Sequence, residues 1–306
     1  MTLNSRIAGT VVVAAGLTAA CSDRATHETG LAMTQTATSS PAFDYDRNAP
    51  LEYRTTTVEM RNGVSVHAAS YADLAGGRIT AYWVVPDGVG PFPAVLFIHP
   101  APGTKDTFLD EAVTLAHLGG ASLLIDAPWS QEAWSQQLTK PQSAYDALTP
   151  VVTALRRAVD VLLAQQNVDA TRIGYVGHSF GALFGGVLSG VEKRINSYAL
   201  LAGTTSFADA AVGNMPAIKG QPMEEEYQRV LAPIDPIGYV GKASPAAFLF
   251  QFGERDGFPR EHMASLADAA SAPKTVVWYD VDHYGVNEAG RKDRLAWLQE
   301  QLALAQ

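Results

Sequence analysis

One short stretch constrains this chain more than any other. Residues Gly177-His178-Ser179-Phe180-Gly181 follow an apolar run typical of a strand, and small and apolar residues at helical spacing come after them. A G-x-S-x-G sequence indicates a nucleophilic serine when it joins a strand to a helix, because such a tight turn exposes the serine hydroxyl. A side chain at Gly177 or Gly181 would collide with the neighbouring strand or helix. The alternative is a glycine-rich turn with a passenger serine.

The stretch resembles the nucleophile elbow of the α/β-hydrolases, and two later segments extend the resemblance. In that superfamily a serine, an acid and a histidine follow strands in this order. Here a predicted strand is followed by Gly253–Gly257, and the next strand is followed by Asp280–Gly285. The resemblance covers roughly residues 80–304 and is nearest to the dienelactone-hydrolase-like, esterase-like branch. It implies Ser179 as nucleophile, His283 as base and Asp256 as acid.

Several carboxylates compete for the role of the acid. Asp256 fits the G-x-x-D pattern of the superfamily, whereas Glu254 is two residues from the required position. Asp280 and Asp282 are too near His283 in the chain to orient its ring from the far side. Asp256 is therefore the predicted acid, and the alternative is a solvated aspartate in a turn.

Four of the seven histidines bear on the same question. His283 lies between the last strand and the last helix, where the base of the superfamily lies. His178 precedes the serine, so its ring is expected to pack beside the elbow. His262 is expected on an exposed helix face. His99 ends a buried strand and begins the loop that concerns the oxyanion.

An oxyanion requires two N–H donors. The first is expected from the backbone of Phe180, at the start of the helix where the dipole is also favourable. The second usually comes from a loop with a His-Gly sequence, but here proline, which has no N–H, occupies the glycine position at Pro100. Ala101 is the preferred second donor, with Gly103 or Thr104 as alternatives.

A set of aromatic residues near these segments is a candidate for an apolar pocket around the substrate. Its members are Trp129, Trp134, Phe207 and Phe258. Aromatic side chains in this fold often serve only in packing, which is the alternative. The sequence has no His-x-x-x-His pair and no glycine-rich phosphate loop after a first strand. We therefore predict no metal and no cofactor.

Composition limits the domain count and the partners. A chain of 306 residues, 47% of them hydrophobic, suits one α/β domain of about 250 residues with an extension. The net charge is −9 and no run is rich in lysine or arginine, which argues against nucleic acid as a partner. With one cysteine, the domain cannot contain an internal disulfide bond.

The first residues are typical of an export signal. Arg6 precedes an uncharged run, residues 7–20, and the single cysteine, Cys21, follows small residues, as at a bacterial lipoprotein cleavage site. We predict a signal peptide at 1–20 and a lipid anchor on Cys21. Residues 21–50 are small and polar, and we predict a flexible tether there. The protein would then be a membrane-anchored lipoprotein of the cell envelope; the alternatives are a soluble periplasmic or secreted protein and a disordered cytosolic start.

The remaining sequence, 51–306, predicts an α/β-hydrolase domain. Runs rich in β-branched and aromatic residues around Asn62-Gly63 and Gly76-Gly77 predict antiparallel strands at the start. Later apolar runs alternate with helical patterns, which predicts a mostly parallel sheet with helices on both faces. Residues 203–243 lack strand periodicity and are predicted to form a small cap. The predicted later strands are Ala94–Ile98, Ala121–Ile125, Thr171–Val176, Ser197–Leu201, Ala246–Phe252 and Thr275–Tyr279; the predicted helices are Lys105–Leu118, Pro150–Gln166, Pro259–Ala270 and Asn287–Leu304.

Together these features favour a serine hydrolase that cleaves the carboxylic ester of a small or medium-sized substrate through an acyl-enzyme. An exopeptidase or a carbon–carbon hydrolase with the same three residues is the alternative among enzymes. Because a fold does not dictate a function, a surface-anchored binding protein without catalytic activity is the alternative of another class.

Overall fold

A single mixed sheet organises the part of the chain that the structure, a computed structural model, describes, residues 41–304. Within that range nine strands are ordered β1-β2-β3-β5-β4-β6-β7-β8-β9. They are β1 (Arg54–Arg61), β2 (Val64–Ala72), β3 (Arg78–Val85), β4 (Phe92–Ile98), β5 (Ala121–Ile125), β6 (Val168–His178), β7 (Ser197–Leu201), β8 (Ala247–Arg255) and β9 (Lys274–Asp282). Strands β1 to β3 are antiparallel, β3 pairs antiparallel with β5, and the strands from β5 to β9 in sheet order are parallel. The predicted sheet is thus confirmed.

Helices cover both faces of the sheet. They are α1 (Leu109–His117), α2 (Pro141–Leu163), α3 (Phe180–Val191), α4 (Phe207–Asn214), α5 (Pro222–Leu231), α6 (Arg260–Ala269), α7 (Val286–Ala289) and α8 (Arg291–Gln301). Strand β4 has apolar side chains on both faces of the sheet. Leu96 belongs to the core under α2 and α3, and the next residue, Phe97, belongs to the core under α1 and α8. Successive strand side chains point to opposite faces, so a strand buried on both has a continuous apolar sequence.

Helix α2 begins earlier than predicted, at Pro141 rather than Pro150. Proline suits the first turn of a helix, where its missing N–H has no partner to lose. Pro150 lies inside the helix and would usually end it. The first half persists because it buries Ala144 and Leu148 against the rest of the domain, so tertiary packing outweighs local preference.

The segment predicted to form a cap lies between β7 and β8. It consists of α4, α5 and several short 3-10 turns, and α5 packs on α2. The hydroxyl of Tyr227 in α5 donates a hydrogen bond of 2.5 Å to the carbonyl of Leu138, just before α2. The cap is thereby joined to the segment that leads into α2.

Residues 43–50 pack against the domain, which corrects the C-terminal boundary of the predicted tether. The Phe43 side chain is completely buried and contacts the ring of Tyr239. The Arg156 guanidinium donates to the carbonyl of Phe43 (2.7 Å), and that of Arg157 to the carbonyl of Pro50 (2.6 Å). One buried aromatic side chain therefore holds a segment that is otherwise mostly exposed against the domain.

The predicted signal peptide, Cys21 and the tether as far as residue 40 lie outside the described residues. Their assignment stays a prediction from the sequence. Within residues 41–304, no helix is both long and apolar enough to cross a membrane.

The burial of Phe43 predicts a measurable contribution of this N-terminal segment to stability. Phe43→Ala should lower the free energy of unfolding in urea by about 3 kcal/mol, because it leaves a cavity in a packed site. Val89→Ala, at a side chain 93% exposed, is the matched control and should change it by about 0.5 kcal/mol or less. Equal stability of Phe43→Ala and wild type would show that residues 41–50 do not pack as described.

Candidate active site

The turn between β6 and α3 holds Ser179 in a strained conformation. Its φ is 55° and its ψ is −113°, a region that residues with a side chain seldom occupy. The close approach of the surrounding chain maintains this geometry. A Cβ atom on Gly177 would overlap the carbonyl of Gly181, and one on Gly181 would overlap the carbonyl of Ile98 at the end of β4. Both positions therefore require glycine.

Three side chains from the ends of three strands form one hydrogen-bonded array. The Nε2 atom of His283, which follows β9, lies 2.8 Å from the hydroxyl oxygen of Ser179. Its Nδ1 atom lies 2.9 Å from each carboxylate oxygen of Asp256, which follows β8. A carboxylate at Nδ1 fixes that nitrogen as the N–H donor and leaves Nε2 as an acceptor for the serine proton. The array has the connectivity of a nucleophile, a base and an orienting acid.

The other candidate acids lie elsewhere. The Asp280 carboxylate pairs with Arg255 on the exposed surface. The Asp282 carboxylate accepts the backbone N–H groups of Tyr284 and Gly285 and so shapes the turn after His283. Glu254 is exposed near the end of β8. Among these carboxylates the structure brings Asp256 to the imidazole.

His178 packs beneath His283. Its ring is fully buried, its Nε2 atom lies 2.8 Å from the carbonyl of His283, and its Nδ1 accepts from the Asn287 amide (3.1 Å). Burial, reinforced by the neighbouring His283, lowers the pKa of His178 to about 3. A neutral ring that donates at Nε2 and accepts at Nδ1 matches these partners, so His178 supports the loop that carries His283.

His262 and His99, the other two histidines considered from the sequence, also have hydrogen-bond partners. The ring of His262, on α6, is 44% exposed, and its Nδ1 lies 3.1 Å from both carboxylate oxygens of Asp209 in the cap. His99 is buried, and its Nε2 accepts the backbone N–H of Ala127 (3.0 Å). His262 therefore lies on a partly exposed helix face and His99 within the loops beside the elbow.

A cavity of about 900 Å³ adjoins the elbow. Both predicted oxyanion donors, Phe180 and Ala101, line it. Most of its wall is apolar and comes from Trp129, Trp134, Leu138, Ala144, Leu148, Phe207, Ala211, Met215, Tyr227 and Leu231. Polar side chains, among them those of Asp106, Gln131 and Glu132, line the rest. A cavity of this size and polarity is suited to an apolar group of a small molecule.

Three of the four predicted pocket aromatics line this cavity, and Phe258 does not. The Phe258 ring stands edge-on to the imidazole of His283, with 5.1 Å between centroids and an interplanar angle of 89°. The backbone N–H of Phe258 also donates to Asp256 (2.9 Å). The turn Asp256-Gly257-Phe258 folds back on the acid, which places the ring beside the base rather than in the cavity.

Helices α2 and α5 supply parts of the cavity wall that the sequence did not predict. Ala144 and Leu148 of α2 and Tyr227 and Leu231 of α5 line the cavity. Their helical spacing predicts a buried face, but a buried face alone does not reveal whether a cavity or a side chain lies opposite. Among residues 41–304, no group of three or more histidine, cysteine, aspartate or glutamate side chains could hold a metal ion.

Comparisons with known proteins agree with this architecture. Searched against family models, the chain matches none. Among solved structures it is similar to an acetyl xylan esterase from Paenibacillus sp. R4 (20% identity, 83% of this chain and 90% of that one, TM-score 0.69). It is also similar to acetyl xylan esterase 1 from Thermoanaerobacterium sp. JW/SL YS485 (14%, 84% and 91%, 0.69) and to an S-formylglutathione hydrolase from Agrobacterium tumefaciens (15%, 81% and 99%, 0.63). The chain has the α/β-hydrolase fold.

Within this α/β-hydrolase fold, a buried carboxyl group supports the cap wall of the cavity. The Asp235 carboxyl accepts the backbone N–H of Phe207 at the start of α4 (2.8 Å). Burial, with a smaller contribution from the negative charge of Asp209, raises the pKa of Asp235 to about 7. In the folded state the protonated form of this group is therefore favoured below about pH 7.

This raised pKa predicts a pH dependence of stability. Between about pH 4 and pH 7 the folded protein keeps the proton on Asp235, whereas the unfolded chain has released it. The contribution of Asp235 to the free energy of unfolding therefore declines as pH rises from about 4 to about 7 and then stays constant. Asp235→Asn keeps the acceptor oxygen but cannot ionise. Relative to wild type, its free energy of unfolding should rise over this window by on the order of 3 kcal/mol.

Urea unfolding at several pH values between 4 and 8 measures this difference. Asp87→Asn, on the exposed surface, controls for the general effect of removing one negative charge. A difference between Asp235→Asn and wild type that is the same at pH 4 and pH 8 would contradict the prediction.

Proposed function

We propose that this protein is a serine hydrolase that cleaves carboxylic esters through an acyl-enzyme. The observation that carries the proposal is the continuous array from Ser179 through His283 to Asp256, with the serine held on a strained turn directly before Phe180, which lines an apolar cavity. A serine hydroxyl is a weak nucleophile, and a base within hydrogen-bond reach is what activates it. Here that base is in turn oriented by a carboxylate.

The chemistry follows from the positions of these groups. The Ser179 oxygen attacks the ester carbonyl while His283 Nε2 accepts its proton, and Asp256 stabilises the imidazolium that forms. The backbone N–H groups of Phe180 and Ala101 donate to the oxyanion of the tetrahedral intermediate. His283 then returns the proton to the leaving alcohol, and water attacks the acyl-enzyme by the same steps to release the acid.

Two observations favour an ester over the alternative substrates. Several solved structures that the chain resembles are those of esterases, including a glucuronoyl esterase from Solibacter usitatus. The cap, residues 203–243, has two helices of ten residues or fewer, which is small for a domain that reads a peptide terminus. An exopeptidase or a carbon–carbon hydrolase is therefore the secondary proposal, and the non-catalytic binding protein the third.

The cavity favours a medium-sized apolar group on one side of the ester bond. Its wall combines indole rings from the loop after β5 with aliphatic side chains from α2 and the cap. Burial of apolar substrate surface there would contribute about 25 cal/mol per Å². A small acetyl group would leave most of a cavity of about 900 Å³ unfilled.

Covalent labelling tests the proposed nucleophile. Intact mass measured after exposure to a fluorophosphonate should show one adduct on wild type and none on Ser179→Ala. His283→Ala should react more slowly by roughly 10²-fold or more, because proton transfer by a positioned base contributes about that much. His262→Ala is the matched control, since that histidine pairs with Asp209 in the cap, and it should react like wild type. Absence of an adduct on folded wild type would overturn the hydrolase proposal in favour of the binding protein.

A second prediction concerns the acyl chain. With p-nitrophenyl esters of increasing chain length, wild type should prefer chains of intermediate length over acetate in kcat/KM. Ala211→Trp, which places a large ring in the cavity, should move the optimum to shorter chains and lower kcat/KM for the wild-type optimum roughly tenfold. Ala217→Trp, on the exposed surface of the cap, is the control. An unchanged chain-length profile of Ala211→Trp would show that the acyl group binds elsewhere.

A further inference from the structure

Two N–H donors converge on one backbone carbonyl beside the elbow. The oxygen of Pro100 lies 2.8 Å from Nδ1 of His99 and 3.1 Å from the indole Nε1 of Trp129. This carbonyl belongs to the peptide bond between Pro100 and Ala101, whose N–H is the proposed second oxyanion donor. The mechanism described above makes no use of His99 or Trp129.

The protonation of His99 follows from its other partner. The backbone N–H of Ala127 donates to Nε2 of His99, so Nε2 must carry the lone pair. Burial lowers the pKa of this histidine and favours the neutral ring, whose proton is then on Nδ1 and points to Pro100. The indole Nε1 of Trp129 lies 3.1 Å from Nδ1 of His99, 3.1 Å from the oxygen of Pro100 and 3.3 Å from the oxygen of His99. Because Nδ1 carries the ring proton and cannot accept, the indole N–H donates to the two backbone oxygens.

Holding the carbonyl oxygen of Pro100 also fixes the N–H of Ala101. The peptide group is planar, and this one is trans, so its N–H points opposite to its C=O. Two donors on the oxygen prevent the plane from rotating. They also polarise the peptide group, which makes its N–H a stronger donor to a developing negative charge.

The indole of Trp129 connects this peptide to the other donor. Its ring is 6% exposed, stacks on Phe184 of α3 (5.2 Å between centroids, 5° between planes) and contacts Phe180 (5.5 Å). Phe180 is the first residue of α3 and supplies the first proposed N–H donor. One rigid ring therefore spans the distance between the two segments from which the oxyanion donors come.

We propose that Trp129, together with His99, is a positioning residue that orients the Ala101 N–H toward the oxyanion. The inference rests on the proposed acyl-enzyme mechanism and assigns to Trp129 a role distinct from that of a cavity wall. The role predicts that loss of the indole N–H weakens transition-state binding while ground-state binding of the substrate is retained.

The first test is Trp129→Phe, which keeps an aromatic ring but removes the donor. For the best p-nitrophenyl ester, kcat should fall roughly tenfold while KM changes by less than about threefold; deletion of an oxyanion donor outright costs about 10² to 10³. Trp297→Phe is the matched control. Trp297, on α8, packs against the core on the other face of the sheet and does not line the cavity. Its kcat should stay within about twofold of wild type.

A second readout separates positioning from packing. A trifluoromethyl ketone forms a tetrahedral adduct with an activated serine, whereas the carboxylic acid product resembles the ground state. Trp129→Phe should weaken inhibition by the ketone by the same factor as kcat/KM and leave inhibition by the product acid unchanged. An equal loss for both inhibitors, or equal behaviour of Trp129→Phe and Trp297→Phe, would overturn the proposal.

Site-specific replacement of Trp129 by 3-benzothienylalanine provides the sharpest variant, because sulfur replaces the N–H with little change of shape. If Trp129→Phe does not fold, the benzothienylalanine variant provides the test instead. Wild-type kcat in the benzothienylalanine variant would overturn the proposal. Failure of the proposed function itself is distinguishable: wild type would then form no fluorophosphonate adduct and hydrolyse no ester. Wild-type hydrolysis with an unaffected Trp129→Phe would refute the positioning role alone.

Discussion

The close approach of three backbone segments at the elbow is the constraint on which the rest depends. Strand β6, helix α3 and the end of β4 meet where Gly177 and Gly181 leave no room for a side chain. This contact fixes the φ of 55° at Ser179, and the strain of that conformation is supported by the packed sheet on either side. Because the strands around it are parallel, their carboxyl ends lie at one edge, so loops distant in sequence meet at the serine.

The sequence was informative where chemistry and secondary-structure pattern coincide. Glycine spacing around Ser179, continuous apolar strands and the order of serine, acid and histidine predicted the sheet and its class. The same logic brought Asp256 and His283 forward as partners, and both lie within hydrogen-bond distance in the array. Such features depend on local sequence pattern and on the order of elements along the chain, and both can be predicted from the sequence.

Other features required three dimensions because tertiary contacts decided them. Pro150 predicts a helix boundary, yet the burial of Leu148 extends α2 through it. Phe43 is a single apolar residue in a polar segment, and only the site that receives it reveals that it packs. The position of Phe258 close to Asp256 in the sequence predicts that it lines the pocket, but a turn directs its ring to His283. Composition and periodicity contain no information on which neighbour a side chain finds across the fold.

Trp134 and Trp129, the two tryptophans of the cavity wall, differ in what their replacement would change in the structure. Trp134 packs on the rings of Trp129 and Phe180, so its replacement alters the shape of the cavity. Trp129 also binds the backbone of the loop after β4, so any smaller residue there would enlarge the cavity and release that loop at once. If Trp129 positions that loop as proposed, variants of this protein with a reshaped cavity are better sought in α2, the cap and Trp134 than at Trp129.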